Sequence, residues 1–263
     1  MKSHLKAAFL GLVLTGLCGV SAHAQDGTIF GYKLNIAVRG WITPTYDGSR
    51  RVAPAPGGSL AVSKPADFDA YAAPDDAASF SVISTKRVVI GAAASFREAR
   101  LNNDELMGMR SIGWSLQGGG FANVWPTPWL RLHVEALKGL TAQYGIQVNT
   151  SADAITQQGR WRLAAGPRFG WADATFNTRY FGVTRAEAIA SPYIDNPYTV
   201  GAGAHFVGLE GAAEYKWSPK IRLTLDTRYH RLLGDDANSP LVRQLGRRDQ
   251  FSVSTGIRFM IPN

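Results

Sequence analysis

Cysteine is nearly absent from this 263-residue chain, and the single Cys18 falls within its first two dozen residues. Without that segment no internal disulfide can form, which excludes the disulfide-stapled scaffolds common among small secreted proteins. Leu17 precedes Cys18 where a lipidation signal wants a small residue. Beyond Ala24 there is no uncharged apolar run approaching the ~20 residues of a membrane-spanning helix. Catalytic signatures are missing as well. Gly113-Trp114-Ser115-Leu116-Gln117 fails as a G-x-S-x-G nucleophile elbow at its last position, and nothing matches the ligand spacing of H-E-x-x-H. Acidic residues are the minority charge, 20 against 28 basic ones.

The first 24 residues read as a secretory leader. Lys2 and Lys6 precede an apolar run over 7–20, and Ala22-His23-Ala24 is an A-x-A cleavage site, so processing is expected between Ala24 and Gln25. The leader carries two lysines and no acids, leaving 26 basic against 20 acidic residues in the domain 25–263. A basic balance also suits nucleic-acid binding, but an exported chain whose cations are spread among strands does not present such a surface.

Alternation is the main signal of the mature chain. In 160–171, Trp161, Leu163, Ala165, Pro167, Phe169 and Trp171 share one face, while Arg160, Arg162, Ala164, Gly166, Arg168 and Gly170 share the other. Successive side chains of a strand point to opposite faces. Similar segments cover 30–42, 77–84, 87–96, 112–123, 130–137, 144–150, 175–181, 207–217, 221–231 and 251–261. Strands this long match the ~9–11 residues of a tilted membrane strand rather than the ~5–6 of a soluble sandwich. Trp41, Trp125, Trp129, Trp161, Trp171, Trp217 and Tyr229 near strand ends resemble interfacial girdles. The pattern predicts an all-β fold, a transmembrane antiparallel barrel. Residues 44–65, rich in Pro, Gly and Ser, read as a loop, and 184–190 as helical turns. The turns at 125–129 and 218–220, if both periplasmic, require an even number of strands between them. Five are counted, so a further strand is expected at 198–203. Twelve strands are the first choice and ten the second.

The inward faces carry Lys33, Arg39, Arg131, Arg160, Arg162, Arg168, Lys216, Arg222, Arg228 and Arg258 against Glu135, Glu210, Glu214 and Asp226. The expectation is a basic lumen, which either attracts anions or is plugged by arginines bridging carboxylates and loops. His133 and Glu135 share an inward face, but no serine can be paired with His133 from spacing. His230, with Asp226 and Asp235-Asp236 nearby, reads as a polar histidine, so no catalytic, metal or cofactor site is assigned. The segment 235–240 reads as a solvated loop over the barrel mouth, with a partner or divalent-ion contact as the other reading.

Four segments carry a resemblance to a known family: Pro44-Thr45-Tyr46-Asp47-Gly48-Ser49, Gly166-Pro167-Arg168, Arg179-Tyr180-Phe181-Gly182-Val183, and the run 229–242 with Asp235, Ser239 and Pro240. In this order, across nearly the whole mature chain, they resemble the MltA-interacting protein (MipA)/OmpV family of Gram-negative outer-membrane proteins. The resemblance implies a non-enzymatic barrel in outer-membrane lipid. It also implies a scaffold joining a lytic murein transglycosylase to a murein synthase, with adhesion, osmotic response or antibiotic passage in other members. A narrow pore for small solutes, anions included, is the alternative, and a barrel hydrolase ranks below it. One departure is the C-terminus, where Phe259 is followed by Met260-Ile261-Pro262-Asn263 instead of ending the chain.

Overall fold

The computed structural model describes residues 31–65, 70–142 and 144–261; the expected leader and its expected Ala24–Gln25 junction lie outside them. Eleven strands form a closed barrel: β1 (Lys33–Pro44), β2 (Val52–Ser63), β3 (Ala78–Ser84), β4 (Val88–Arg97), β5 (Ser115–Thr127), β6 (Leu130–Gly139), β7 (Ile146–Gln158), β8 (Trp161–Ala172), β9 (Gly203–Lys216), β10 (Ile221–Leu232) and β11 (Asp249–Ile261). Each strand pairs with its sequence neighbours, and β1 closes on β11 from Leu34↔Ile261 to Ile42↔Val253. Among the described helices none is long and apolar enough to cross a membrane.

The outer wall is apolar. Leu163, Phe169, Leu209, Leu225, Ile257 and Phe259 are exposed, whereas Arg162, Arg168, Glu210, Asp226 and Arg258 on the same strands are buried. That is the inverse of a water-soluble sheet, and it is the pattern a barrel in lipid requires.

Neither twelve nor ten strands is correct, and two segments account for the difference. Residues 175–181 are not a strand but part of helix α1 (Ala174–Phe181). Asp173 caps it by accepting from the Phe176 N–H at 2.8 Å, and Phe176, Asn177, Tyr180 and Phe181 are buried at helical spacing. Its β-favouring Thr, Phe and Tyr residues imitate a strand. The expected strand at 198–203 reduces to one bridge, Val183↔Tyr198. With α1 removed, four strands separate the turns after β5 and β9, so the parity condition holds without a twelfth strand. Conversely, 52–63 is not a loop but β2. Pro54 and Pro56 pair with β1 on one side, and β2 meets β3 only through Ala61↔Ser79 and Val62↔Phe80. Both prolines thus sit where the far edge of β2 has no described partner, the place where a strand tolerates a residue without an N–H.

A closed ring with an odd number of strands cannot alternate throughout, so one neighbouring pair must run parallel. That pair is β2–β3. A parallel pair needs a crossover, and its described part, 70–77, lies inside the barrel.

The tight turns lie at one end, which by the outer-membrane habit is periplasmic. The opposite mouth is covered by a cap: α1, α2 (Arg185–Ala190), α3 (Gly234–Asn238), α4 (Pro240–Arg243) and a 3-10 turn at Asp104–Leu106. Thr184 and Glu187 form a capping box on α2. The cap has its own apolar cores. One joins Ile112, Phe176, Phe181, Val200 and Val242; the other joins Leu106, Met109, Val183, Ile194 and Leu241.

Candidate functional site

The chemistry of the molecule is concentrated in the lumen, where residues 70–77 form a strap across the barrel. Tyr71, Ala73 and Pro74 are buried. Asp76 Oδ2 accepts from the Ala73 N–H at 2.8 Å, folding the strap into a tight bend that presents two carboxylates. Six luminal arginines or carboxylates then hold it. Arg39 donates to Pro74 O at 2.9 Å and Arg258 to Ala72 O at 3.1 Å. Arg131 reaches Asp76 at 2.6 Å, Arg168 reaches Asp75 at 2.8 Å, and Arg228 lies 4.0 Å from Asp75. Glu135 accepts from the Ala77 N–H at 3.2 Å. The strap runs inside because lipid could satisfy neither its carboxylates nor its unpaired backbone groups.

Two arginines are hubs. Arg131 is fully buried; it also binds Asp153 at 3.0 Å and Asn123 at 2.9 Å, and covers the Tyr71 ring. Arg168 adds Asp153 at 2.8 Å and Glu210 at 3.5 Å. Below them, Glu214 gathers Arg162, Arg222 and Arg258 within 3.6 Å. Asp226 accepts from Ser254. His133 places Nδ1 2.7 Å from Asn123 Oδ1, as part of the Arg131 hub.

The expected excess of positive charge is not there. Arg160 lies in the exposed turn before β8, Lys216 is exposed, and Lys33 is half-buried at the start of β1. Seven luminal arginines remain: Arg39, Arg131, Arg162, Arg168, Arg222, Arg228 and Arg258. They face seven carboxylates, because Asp75, Asp76 and Asp153 join Glu135, Glu210, Glu214 and Asp226. Asp153 lies in phase with the inward face of β7 and was legible by extending that strand. Asp75 and Asp76 follow no periodicity, and nothing local marks them as luminal. Trp41 and Trp125 also leave the expected girdle. Trp41 turns inward under the Arg228 guanidinium, 5.1 Å from its ring centroid, and Trp125 packs on the inner cluster of Val89, Ala93 and Phe121.

The strap divides the lumen. On the tight-turn side is a cavity of about 60 Å³, lined by β2, β3 and Tyr71. On the cap side is a chamber of about 290 Å³, with Asp75 and Asp76 in its floor and Asp47, Arg97, His205 and Leu232 towards its roof. In the roof, burial alone would raise the Asp47 carboxyl, but Arg97 at 2.6 Å holds it below the ordinary range. His205 is oriented by Asp236 at 2.7 Å, and His230 stacks on Phe206 with centroids 4.2 Å apart. Asp236 thus serves His205 rather than His230. Among the described residues no group of three His, Cys, Asp or Glu is placed to hold a metal ion.

Of the four segments that suggested a family, three meet in the cap, where Gly48 lies against Val242 and Ser239 bonds Phe181, and the fourth lies in the wall of β8. Gly166 has no room for a Cβ because the Ala152 carbonyl lies against it. Pro167 faces outward, and Arg168 is the inward hub. Tyr180 O accepts from Arg100, and Phe181 O accepts from Ser239 Oγ at 2.6 Å. Gly182 closes α1 by donating its N–H to Thr178 O. Asp235 accepts from the Gly201 N–H. Pro240 opens α4 immediately after its Ser239 cap, and Ser49 bridges Gly246.

An apolar outer wall of long strands, tight turns at one end, long loops at the other and an ionic interior define an outer-membrane β-barrel. Within that class the chain belongs to the family of the MltA-interacting protein MipA, whose model matches residues 36–261. No curated protein matches it. Among solved structures it is similar to the NanC porin, at 10% identity over 85% of this chain and 98% of that one, with a TM-score of 0.42. It is also similar to the COG4313 outer membrane channel from Pseudomonas putida F1, at 9% identity over 92% and 99%, TM-score 0.40. A third is the outer membrane protease OmpT from Escherichia coli, at 9% over 92% and 98%, TM-score 0.36. At these scores no property of those barrels is carried to this one.

Proposed function

We propose that this barrel is a non-conducting, non-enzymatic scaffold in the outer membrane. Made with the leader 1–24 and matured to 25–263, it tethers murein-remodelling enzymes at its periplasmic rim. The observation that carries the reading is the strap: a segment of the chain itself, held by five arginines, occupies the path a solute would take. The family's name supports the partner class, a murein transglycosylase, and a murein synthase as second client rests on the sequence resemblance alone. The exposed rim cations Arg160 and Lys216 stand on the periplasmic side, where such partners would dock.

Pull-down with the mature chain tests this. A lytic transglycosylase should be enriched over an unrelated barrel of similar size, and equal recovery would sink the reading. The second reading is a pore for small solutes. It is favoured by the two cavities on either side of the strap, which unlatching would join. Planar bilayers separate the two: stable insertion without conductance steps supports the scaffold, and steps from the intact chain support the pore.

A further inference from the structure

One sector of the barrel's outer rim carries charge where the rest carries aromatic residues. It lies at the mouth opposite the tight turns, which the outer-membrane habit turns towards the outer leaflet. Four neighbouring strands, β10, β11, β1 and β2, meet there. Their uppermost lipid-facing residues form an apolar plate. Phe251 stands beside Tyr229, Ile42 sits between Val253 and Pro54, and Val52 opens β2. Phe251, Ile42 and Val52 are all exposed.

Immediately above the plate, the same outward phase brings three arginines. Arg231 follows Tyr229 on β10, Arg247 precedes Asp249 and Phe251 on β11, and Arg50 precedes Val52 on β2; all three are exposed. Two contacts set Arg50 and Arg247 side by side. The Arg247 N–H donates to Gly48 O at 2.7 Å, and Arg50 Nε donates to Gly246 O at 2.6 Å. The second bond also fixes the Arg50 guanidinium and leaves both Nη groups without an acceptor among the described residues. Two carboxylates border the patch. Asp249 accepts from Tyr229 at 2.6 Å and from Arg231 at 2.8 Å, and it lies near enough to Arg247 to share its field. Glu105 lies on the cap side, 3.8 Å from Arg51. Arg50 and Arg247 form no ion pair among the described residues, so outward-facing cations outnumber Asp249.

Across the barrel the same rim is built differently. Trp114, Leu116, Leu140, Tyr144 and Trp171 are exposed there, an interfacial girdle with Lys138 among them. Cations set directly above a lipid-facing apolar plate fit a molecule of the opposite order, with anionic groups above acyl chains. Arginine's planar fork suits phosphate in particular. From Arg231 to Arg50 the patch crosses three strand spacings, roughly 14 Å at ~4.8 Å each, too wide for one phosphate to bridge. A lipid with one phosphate would meet one end of the patch. A glycolipid with phosphates at both ends of its sugar unit would meet both.

We infer that the outward rim of β10, β11, β1 and β2 binds a phosphorylated glycolipid of the outer leaflet, with Arg50, Arg231 and Arg247 on its phosphates and Phe251, Ile42 and Val52 against its acyl chains. This surface is at the opposite end of the barrel from the proposed partner rim and is independent of the scaffold role.

The test is native mass spectrometry of the purified mature chain in detergent, with diphosphorylated lipid A as the probe. Lipid A stripped of both phosphates, and phosphatidylglycerol with its single phosphate, should each bind at least roughly fivefold more weakly, the scale of one cation at a charged lipid surface. Arg50→Gln and Arg247→Gln should each weaken the diphosphorylated form by about the same factor, and together by about twenty-five-fold. Arg185→Gln, which removes an exposed cation on α2, should leave it unchanged. Equal binding of the intact and the stripped lipid would overturn the inference, as would phosphatidylglycerol binding as tightly as the diphosphorylated form. Unchanged affinity in the folded Arg50→Gln/Arg247→Gln pair, or an equal loss in Arg185→Gln, would do the same. If the paired variant does not fold, the order of the three lipids on the unaltered chain still decides it.

Discussion

The molecule has two interiors built by opposite rules. The cap packs Phe176, Phe181, Leu106, Ile194 and Leu241 as a water-soluble domain would. Below it, the lumen sets arginines against carboxylates, Arg131 on Asp76 and Asp153 and Arg168 on Asp75. The difference follows from what lies outside each. The cap faces water, so its apolar residues turn inward. The wall faces lipid, so its apolar residues turn outward, and the inward positions are left to groups that must satisfy one another. In the cap, order comes from shape; in the lumen, it comes from pairing.

Four experiments would break or sharpen that contrast. Arg131→Ala should have the largest effect, because it strands Asp76 and Asp153 in a closed network. Removing one partner of a buried ion pair costs about 3–5 kcal/mol, read as a lower urea midpoint for the folded barrel in micelles. A loss under ~1 kcal/mol, the surface-pair range, would mean the lumen behaves as solvent. Leu241→Ala should cost about 3 kcal/mol and act on the cap: proteolysis within 173–202 should accelerate while the barrel keeps its resistance to unfolding in detergent. If the barrel loosens equally, the two interiors are one cooperative unit. Thr184→Ala removes the α2 cap and should cost about 1 kcal/mol, visible as faster amide exchange over 185–190 alone.

The smallest effect is a pH dependence. Burial would raise the Glu187 carboxyl, but hydrogen bonds from Arg110 and from the Thr184 and Arg110 N–H groups outweigh it and lower it from 4.5 to about 2. A depressed carboxylate contributes its stability above its unfolded value and loses it as pH falls. Protection of α2 should therefore be level from pH 7 to 5 and decline between about 4.5 and 2, and Glu187→Gln should flatten that decline. A decline already above pH 5 would assign the transition to another group.

Most of the wall was legible in the sequence because lipid on one side and charge on the other impose a period of two. Arg162 and Arg168 on β8, or Arg222 and Asp226 on β10, can be assigned by counting. Legibility failed where tertiary context overrides local chemistry. Pro54 and Pro56 argue for a loop until the unpartnered edge of β2 is seen. Thr175 to Phe181 argue for a strand until Asp173 caps a helix. The charge balance of the site was hidden for a third reason. Asp75 and Asp76 enter the lumen through the odd strand count, a property of the closed ring and of no short segment.

That odd count also gives the molecule an order of assembly. A ring that contains part of its own chain cannot be completed in any sequence of steps: 70–77 must be inside before the wall beside it is sealed. The β2–β3 contact, two residue pairs long, is the weakest joint of the wall and lies at the foot of the strap. Physical economy makes it the last to form, with Arg131 and Arg168 capturing Asp76 and Asp75 first. On this view the luminal arginines are also folding checkpoints. A chain that fails to seat its strap would be left open along one side, between β2 and β3.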